Sequence, residues 1–266
     1  MSNTILVTGL DGSGKSTFFS KLREIKKPAF ALLNLPKIDV NVFADNIDLY
    51  RTGRFINTLS DIADEKQQSF IKGLTLFASM VFFRDLHNHL VGKRVKTIFC
   101  ERHPLIDAPV YAQFYAPRMN PDALDNEVLH LLDRSFSDQF MLVLAKVGKD
   151  KRLTHTSISG SICQFIYTHF HVKQQETYRR LPQIFNVTVP DSIYYLEARP
   201  DVLMNRILKR HKSQPHETKS ILSAFRDAYE KVFLDVQKIG SCQVTRVDAS
   251  DFKKLDVFFE MIKDEV

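Results

Sequence analysis

Gly9-Leu10-Asp11-Gly12-Ser13-Gly14-Lys15-Ser16-Thr17 fits the pattern GxxxxGK[ST] in full. It stands between a short apolar run, Thr4–Val7, and a helix-like stretch from Lys15 to about Lys26. That strand-then-helix context is what the pattern needs. Gly9, Gly12 and Gly14 let backbone N–H groups close around phosphate oxygens, and the helix N-terminus adds a favourable dipole. Lys15 then reaches the terminal phosphates of a nucleoside triphosphate, and the Ser16 hydroxyl ligands Mg²⁺. Ser13 and Thr17 are counted with the phosphate-binding residues of the same loop.

A second group is Thr97-Ile98-Phe99-Cys100-Glu101-Arg102-His103-Pro104, an apolar strand ending in an acid and an arginine. In a parallel sheet these side chains emerge at the carboxyl edge, beside a phosphate loop. Glu101 is suited to ordering Mg²⁺ or its water, and Arg102 to clamping a phosphate. A third group runs from Ser192 to Glu217, a strand leading through Arg199-Pro200-Asp201 into a basic helix. Arg206, Lys209 and Arg210 share one helix face at i, i+3 and i+4, and Lys212 follows. A basic lid of this kind neutralises charge developing on a transferred phosphoryl group. The pairs His87/His89 and His169/His171 come with no HExxH or third-ligand spacing, so no metal is assigned to them.

The elements that must position these groups alternate between strand and helix. Strands are expected at Thr4–Val7, Phe30–Leu35, Val95–Cys100, Ile193–Glu197 and Val244–Val247. Helices are expected at 55–91, 121–135, Gln164–Phe185, Pro200–His211, 218–238 and Phe252–Lys263. Phe140–Val147 fits a strand or a helix end, and Thr154–Ser161 reads as a loop. Such alternation predicts an α/β fold with a parallel sheet covered on both faces. No linker is evident, so residues 1–266 read as a single domain. A lid is placed at about 206–217, and an insertion is expected at about 140–185.

Composition narrows the classes. The chain has 266 residues, 44% hydrophobic, with 21 Phe and no Trp, so most phenylalanines should be core. No apolar run approaches membrane-spanning length, and MSNTILVTGLDGSGKS lacks the regions of a secretory signal. Three dispersed cysteines without a CxxC suit a reducing, cytoplasmic setting. The net charge of +6 admits nucleic acid, a membrane surface or a small polyanion. With Lys15, Arg102 and the 206–212 cations assigned to one polyphosphate, the small polyanion is favoured over the other two.

On these motifs the chain resembles the thymidylate kinase and deoxynucleoside kinase superfamily. Gly9–Thr17 is similar to the thymidylate kinase phosphate loop, including its acid, here Asp11. Leu76-Phe77-Ala78 resembles that family's helix segment ahead of its substrate contacts. Glu101-Arg102-His103 is similar to its acid–Arg–aromatic motif, and Arg206–Lys212 with Glu217 to its lid. The resemblance implies a P-loop NTPase three-layer sandwich: a five-stranded parallel sheet, helices on both faces and a lid. It implies MgATP as phosphoryl donor and dTMP as the first-choice acceptor. A nucleoside acceptor is the alternative, as is a catalytically degenerate ATP-binding protein; a homodimer is compatible with all three. Asp11 would face the acceptor sugar. Some family members place a catalytic arginine inside the phosphate loop; here that loop has Gly12 and Ser13, so the cation would come from the lid, which has Arg206, Arg210 and Lys212, with Arg210 the first choice. Asp248–Asp251, after the last strand, would lie beside the adenine.

Three segments depart from the family pattern. The Arg-Glu-Pro expected after strand two is Asn34-Leu35-Pro36-Lys37 here, leaving only the Pro and a displaced Lys. The Asp-Arg pair expected after Leu-Phe-Ala is Ser79-Met80, with Arg84 a turn later. No Trp is available for a nucleoside segment, and Asp45 or Asp48 would have to serve as the base for a 5′-hydroxyl.

Overall fold

The structure, a computed structural model, describes residues 2–25, 29–148, 154–171, 174–209, 218–239 and 242–265. In chain order the elements are β1 (Asn3–Gly9), α1 (Lys15–Glu24), β2 (Phe30–Leu33), α2 (Ile47–Lys66), α3 (Ser69–Val81), α4 (Phe83–Gly92), β3 (Thr97–Cys100), α5 (Pro104–Tyr115), α6 (Asn126–Val147), α7 (Ile158–Phe170), α8 (Gln174–Phe185), β4 (Ser192–Glu197), α9 (Pro200–Leu208), α10 (Lys219–Ile239), β5 (Gln243–Asp248) and α11 (Phe252–Glu265). They form two compact units. One comprises Met1–Asn34, His87–Ile106 and Val189–Val266; the other comprises Leu35–Leu86 and Asp107–Thr188.

The first unit is an α/β layer structure on a five-stranded sheet of order β2-β3-β1-β4-β5, parallel throughout. The central strands are apolar in their middles because both faces are covered. Leu6, Val7, Ile98, Phe99 and Ile193 have no exposed surface. Successive strand side chains face opposite sides of a sheet, and β4 shows what covers each. Tyr194 packs on Phe258 of α11, which in turn stacks on Phe18 of α1. Tyr195 packs on Tyr229 and Phe233 of α10. So α1 and α11 lie on one face and α10 on the other. The edge strand β5 carries Arg246, bidentate to Glu230 at 2.6 and 2.5 Å, and these contacts push the guanidinium up and the Glu230 carboxyl down. A charged edge of this kind discourages strand addition.

Near the start of the central strand β1, the Thr4 backbone N–H donates to Asp191 at 2.7 Å, and His87 Nε2 lies 2.8 Å from Thr4 Oγ1. Burial holds the His87 imidazole below its ordinary value, against the opposing effects of Asn88 and Asp191. A histidine kept neutral in the fold stabilises it fully above the unfolded value of about 6.5. As pH drops below that value, the unfolded chain takes up the proton first and the stabilisation is lost through the folded pKa. Thermal denaturation between pH 7 and pH 5 should therefore show a shallower loss of Tm for His87→Gln than for the wild type.

The second unit is helical. Aromatic rings are clustered in it: Phe55 meets Phe136 and Phe140, and Phe77 meets Phe165, Phe170 and Phe185. Asp133 accepts hydrogen bonds from Ile158 N and Ser159 N, both at 2.8 Å, and so caps α7 from α6. The expectation that most phenylalanines are core holds for the adjacent pairs in both units: Phe18, Phe19, Phe82, Phe83, Phe258 and Phe259 are all buried.

Several element expectations need correction. The helical span 55–91 is three helices, broken at Gln67, which adopts left-handed φ 55°, and at Phe82. The first of them begins at Ile47, behind an Asn46 N-cap. Phe140–Val147 is the end of α6, whose apolar residues continue a helical stripe across a kink at Phe136. Ser157 caps α7, so helix starts at Ile158, inside the expected loop. Gln164–Phe185 is divided between α7 and α8. Helix α5 had no periodic signal because it is apolar nearly all round, with Pro109 inside it. Helix α9 ends at Leu208 rather than at His211, with Lys209 as its C-cap.

Candidate functional site

The carboxyl edge of β1 runs straight into the phosphate-loop sequence. Gly9 is required there by close approach: a Cβ would stand 2.6 Å from the Leu196 carbonyl oxygen of β4. Gly12 has φ +83°, and a Cβ would meet the Leu203 carbonyl oxygen of α9 at 3.0 Å. The turn is closed by Ser13 N donating to Leu10 O at 3.1 Å. Gly14 then supplies a left-handed N-cap, and α1 begins at Lys15 with no side-chain cap on its first turn. Those first N–H groups are the orphan donors that an anion satisfies.

The side chains of the loop are arranged to match. Lys15 is 5% exposed, and its Nζ donates to Gly9 O at 2.7 Å and Leu10 O at 3.0 Å. Its ammonium thus sits over the loop, with the Asp11 carboxylate 3.9 Å away. Ser13 Oγ is buried without a hydrogen-bond partner among the described residues. Ser16 and Thr17 are exposed at the start of the helix. An orphaned hydroxyl, unsatisfied helix N–H groups and a buried ammonium in one turn fit a bound polyphosphate.

Glu101 and Arg102 follow β3, the strand beside β1, and both are half-buried. Glu101 N donates to Leu33 O at 3.2 Å, which prolongs the β2–β3 ladder by one residue. His103 is 2% exposed, and its Nδ1 accepts from Leu105 N at 3.2 Å, so the imidazole caps α5 ahead of Pro104. That cap turns the chain immediately after Arg102.

Arg206 is held differently from a simple phosphate-facing cation. Its guanidinium donates to Gly12 O at 3.1 Å, Ala249 O at 2.8 Å and Ser250 O at 3.0 Å. It also lies 4.3 Å from the centre of the Phe252 ring. One side chain thereby ties α9 to the phosphate loop and to the β5–α11 turn. Nearby, Asp248 accepts from Ser250 and Lys254, which hold its carboxyl well below the usual range. Arg206→Ala should lower stability by about 1–2 kcal/mol in urea denaturation, and Arg206→Lys should recover less than half, because an ammonium cannot reproduce the fork.

Arg210, Lys212 and Glu217 lie outside the described residues, as does the lid beyond Lys209. Asp45 and Asp48 belong to the second unit, exposed at the start of α2, where the Asn46 side chain caps Leu49 N. Arg84 is exposed on α4, whereas Ser79 is fully buried on α3 with its hydroxyl on Leu76 O. Lys37 pairs with Asp61 at 2.5 Å and Asp64 at 3.6 Å. Sequence reading attached no role to Phe252, because a ring at a helix start looks like ordinary packing.

The parallel sheet and its GxxxxGK[ST] turn give this chain the P-loop α/β architecture. No family model matches the sequence, and no curated protein does. Among solved structures it is similar to deoxyadenosine kinase from M. mycoides with products dCMP and a flexible dCDP bound, at 14% identity and a TM-score of 0.48, covering 98% of this chain and 99% of that one. It is likewise similar to the same enzyme with bound dATP, at 13% identity, the same TM-score and the same coverage.

Proposed function

We propose that this chain is an ATP-dependent phosphotransferase that acts on a pyrimidine nucleotide or nucleoside, with dTMP as first acceptor. The observation that carries the reading is the phosphate loop, where the Lys15 ammonium, the Ser13 hydroxyl without a partner among the described residues and the open N-terminus of α1 converge. In the reaction an acceptor oxygen attacks the γ-phosphorus, the bond to the β,γ-bridging oxygen breaks, and ADP leaves. Lys15 moves from the loop carbonyls to the β- and γ-phosphates, and the loop N–H groups hold the β-phosphate. Arg102 orients donor or acceptor phosphate from the end of β3, and Asp11 faces the acceptor sugar. Arg206 fixes the loop and the turn at 248–251 against which the adenine lies, and its contribution to phosphate binding is indirect. Arg210 supplies the cation that closes from the lid. Ser16 and Glu101 are the residues that would hold Mg²⁺, which when bound neutralises charge on the β- and γ-oxygens.

A nucleoside acceptor is favoured by one observation. Lys37, the cation nearest to the end of β2 in sequence, is paired with Asp61 and Asp64 in the helical unit, and Asn34 at that strand end is neutral. With a nucleoside, Asp45 or Asp48 would take the 5′-hydroxyl proton. A coupled ADP-release assay with MgATP against dTMP, dUMP, thymidine and deoxycytidine separates the two. Turnover with the monophosphates supports the first reading, and turnover with the nucleosides supports the second. Binding of MgATP with no turnover of any acceptor overturns both in favour of an ATP-binding protein without kinase activity.

A further inference from the structure

Helix α6 buries one face in the helical unit, through Leu129, Leu132, Phe140 and Val143, and leaves the opposite face bare. On that outer face Leu131, Met141 and Leu142 are 58%, 54% and 52% exposed. They line up with Arg134, Ser135, Asp138 and Ala145, all exposed, at steps of three and four residues. A surface helix ordinarily carries polar residues on that side. Arg134 and Asp138 form no ion pair among the described residues. Within the helix they stand in the less favourable order, cation before acid, and Phe136, with φ −140° and ψ 23°, breaks the turn between them. Helix α11 also exposes apolar residues, Val257 and Met261, but its flanking charges are already used, Asp256 by Lys21 and Glu260 by Lys263.

The outer face of α6 is complementary to itself. In an antiparallel pair of α6 helices related by a two-fold axis beside Phe136, residues equally far before and after that position face each other. Arg134 then meets Asp138 of the second copy, and Asp138 meets Arg134. Leu131 meets Met141 and His130 meets Leu142, each twice. A parallel pair would set Arg134 beside Arg134 and Asp138 beside Asp138, like charge against like. We propose that this face of α6 is an interface between two copies of this chain, packed antiparallel about residue 136. The proposal is independent of the catalytic reading, since it uses no residue of the phosphate site. The helix has 22 residues and is about 33 Å long, so the pair falls at the low end of stable interfaces and a dimer in the micromolar range is expected. The two exchanged Arg–Asp pairs fix direction and register, and the apolar side chains supply the buried area.

Sedimentation velocity on the full chain, from about 1 to 100 μM, reads the monomer–dimer equilibrium. The wild type is expected to dimerise within that range. Arg134→Asp sets carboxylates against each other in both pairs and should raise the dimer Kd about tenfold or more. Adding Asp138→Arg to it exchanges the charges and should return Kd to within about threefold of wild type. Both positions are exposed, so circular dichroism should show the same fold in all three proteins. A cysteine scan reads the register separately, because the native cysteines are buried. Ser135→Cys lies one residue from the axis, and mild oxidation should link two copies through it. Ala145→Cys lies nine residues from the axis, which separates its two copies by about 27 Å along the helices, too far for a disulfide. The proposal is overturned by a wild type that stays monomeric at about 100 μM. A dimer indifferent to Arg134→Asp overturns it as well, since another face would then hold the copies together. So does a double variant no tighter than Arg134→Asp alone, or an Ala145→Cys protein that crosslinks as readily as Ser135→Cys.

Discussion

Replacing Lys15 by alanine is expected to lower phosphoryl-transfer turnover by about 10²–10³-fold, the usual loss when a preorganised charge-stabilising group is removed. The ammonium is buried, and its two hydrogen bonds go to carbonyls of its own loop. Little water has to be stripped from it when a triphosphate arrives, and its charge acts in a poorly solvated turn. The loss should fall on kcat more than on the KM for ATP, since charge accumulates on the bridging and γ-oxygens as the bond breaks. Stability is the necessary control. Gly9 O and Leu10 O each lose a charged donor, which costs about 1–3 kcal/mol at most. Lys15→Met, which retains the buried stem, should hold its Tm closer to the wild type while losing the same activity. Steady-state ADP release and thermal denaturation on both variants check this. Wild-type turnover in a folded Lys15→Ala protein would sink the catalytic reading.

The largest loss is expected for Arg210→Ala, about 10³–10⁵-fold in kcat, the range in which a transition-state arginine is worth its charge. The phosphate loop contains no arginine of its own. The nearest structural argument comes from Arg206, whose three hydrogen bonds hold the last turns of α9 against Gly12 and the 248–251 turn. Leu203 and Ile207 of the same helix pack on Gly12. Arg210 is covalently tethered four residues beyond that anchor. An extended chain spans at most about 3.5 Å per residue, so the tether is under about 14 Å. An arginine that acts on transition-state charge alone leaves ground-state binding unchanged, so the KM for ATP should change little. An Arg210→Lys variant should recover part of the rate, and an Arg210→Ala protein with near-normal kcat would move the role to Lys209 or Lys212.

Parts of the chain were legible because their determinants are local. The β1–loop–α1 turn is specified by glycines at positions that need close approach or positive φ, next to a lysine and a serine at fixed offsets. Strand β3 and its Glu101-Arg102 ending were readable for the same reason, as an apolar run broken by two charges. Helix α5 was not readable, because an element buried on all sides has no period and its internal proline argues against helix. Phe140–Val147 was ambiguous until α6 was seen to run through it. The second unit, into which residues 140–185 fall, is built from segments far apart in sequence, with Phe77 meeting Phe185 and Asp133 capping Ile158. No local pattern carries contacts at such separation.

The site divides along the same line. By itself the sequence determined that this protein presents a GxxxxGK[ST] turn between strand and helix, an acid–arginine pair at a strand end and a basic segment after α9, since each is a matter of residue type and spacing within a few positions. Only the tertiary structure decided what these groups face. It turned Arg206 from one more cation into a clasp on three carbonyls, committed Lys37 to Asp61 and Asp64, and left the oxygen of Asn34 buried with no donor among the described residues. Those outcomes depend on which backbone groups lie within about 3 Å of a side chain. The folded sheet and its helices set that distance between residues as many as 194 positions apart.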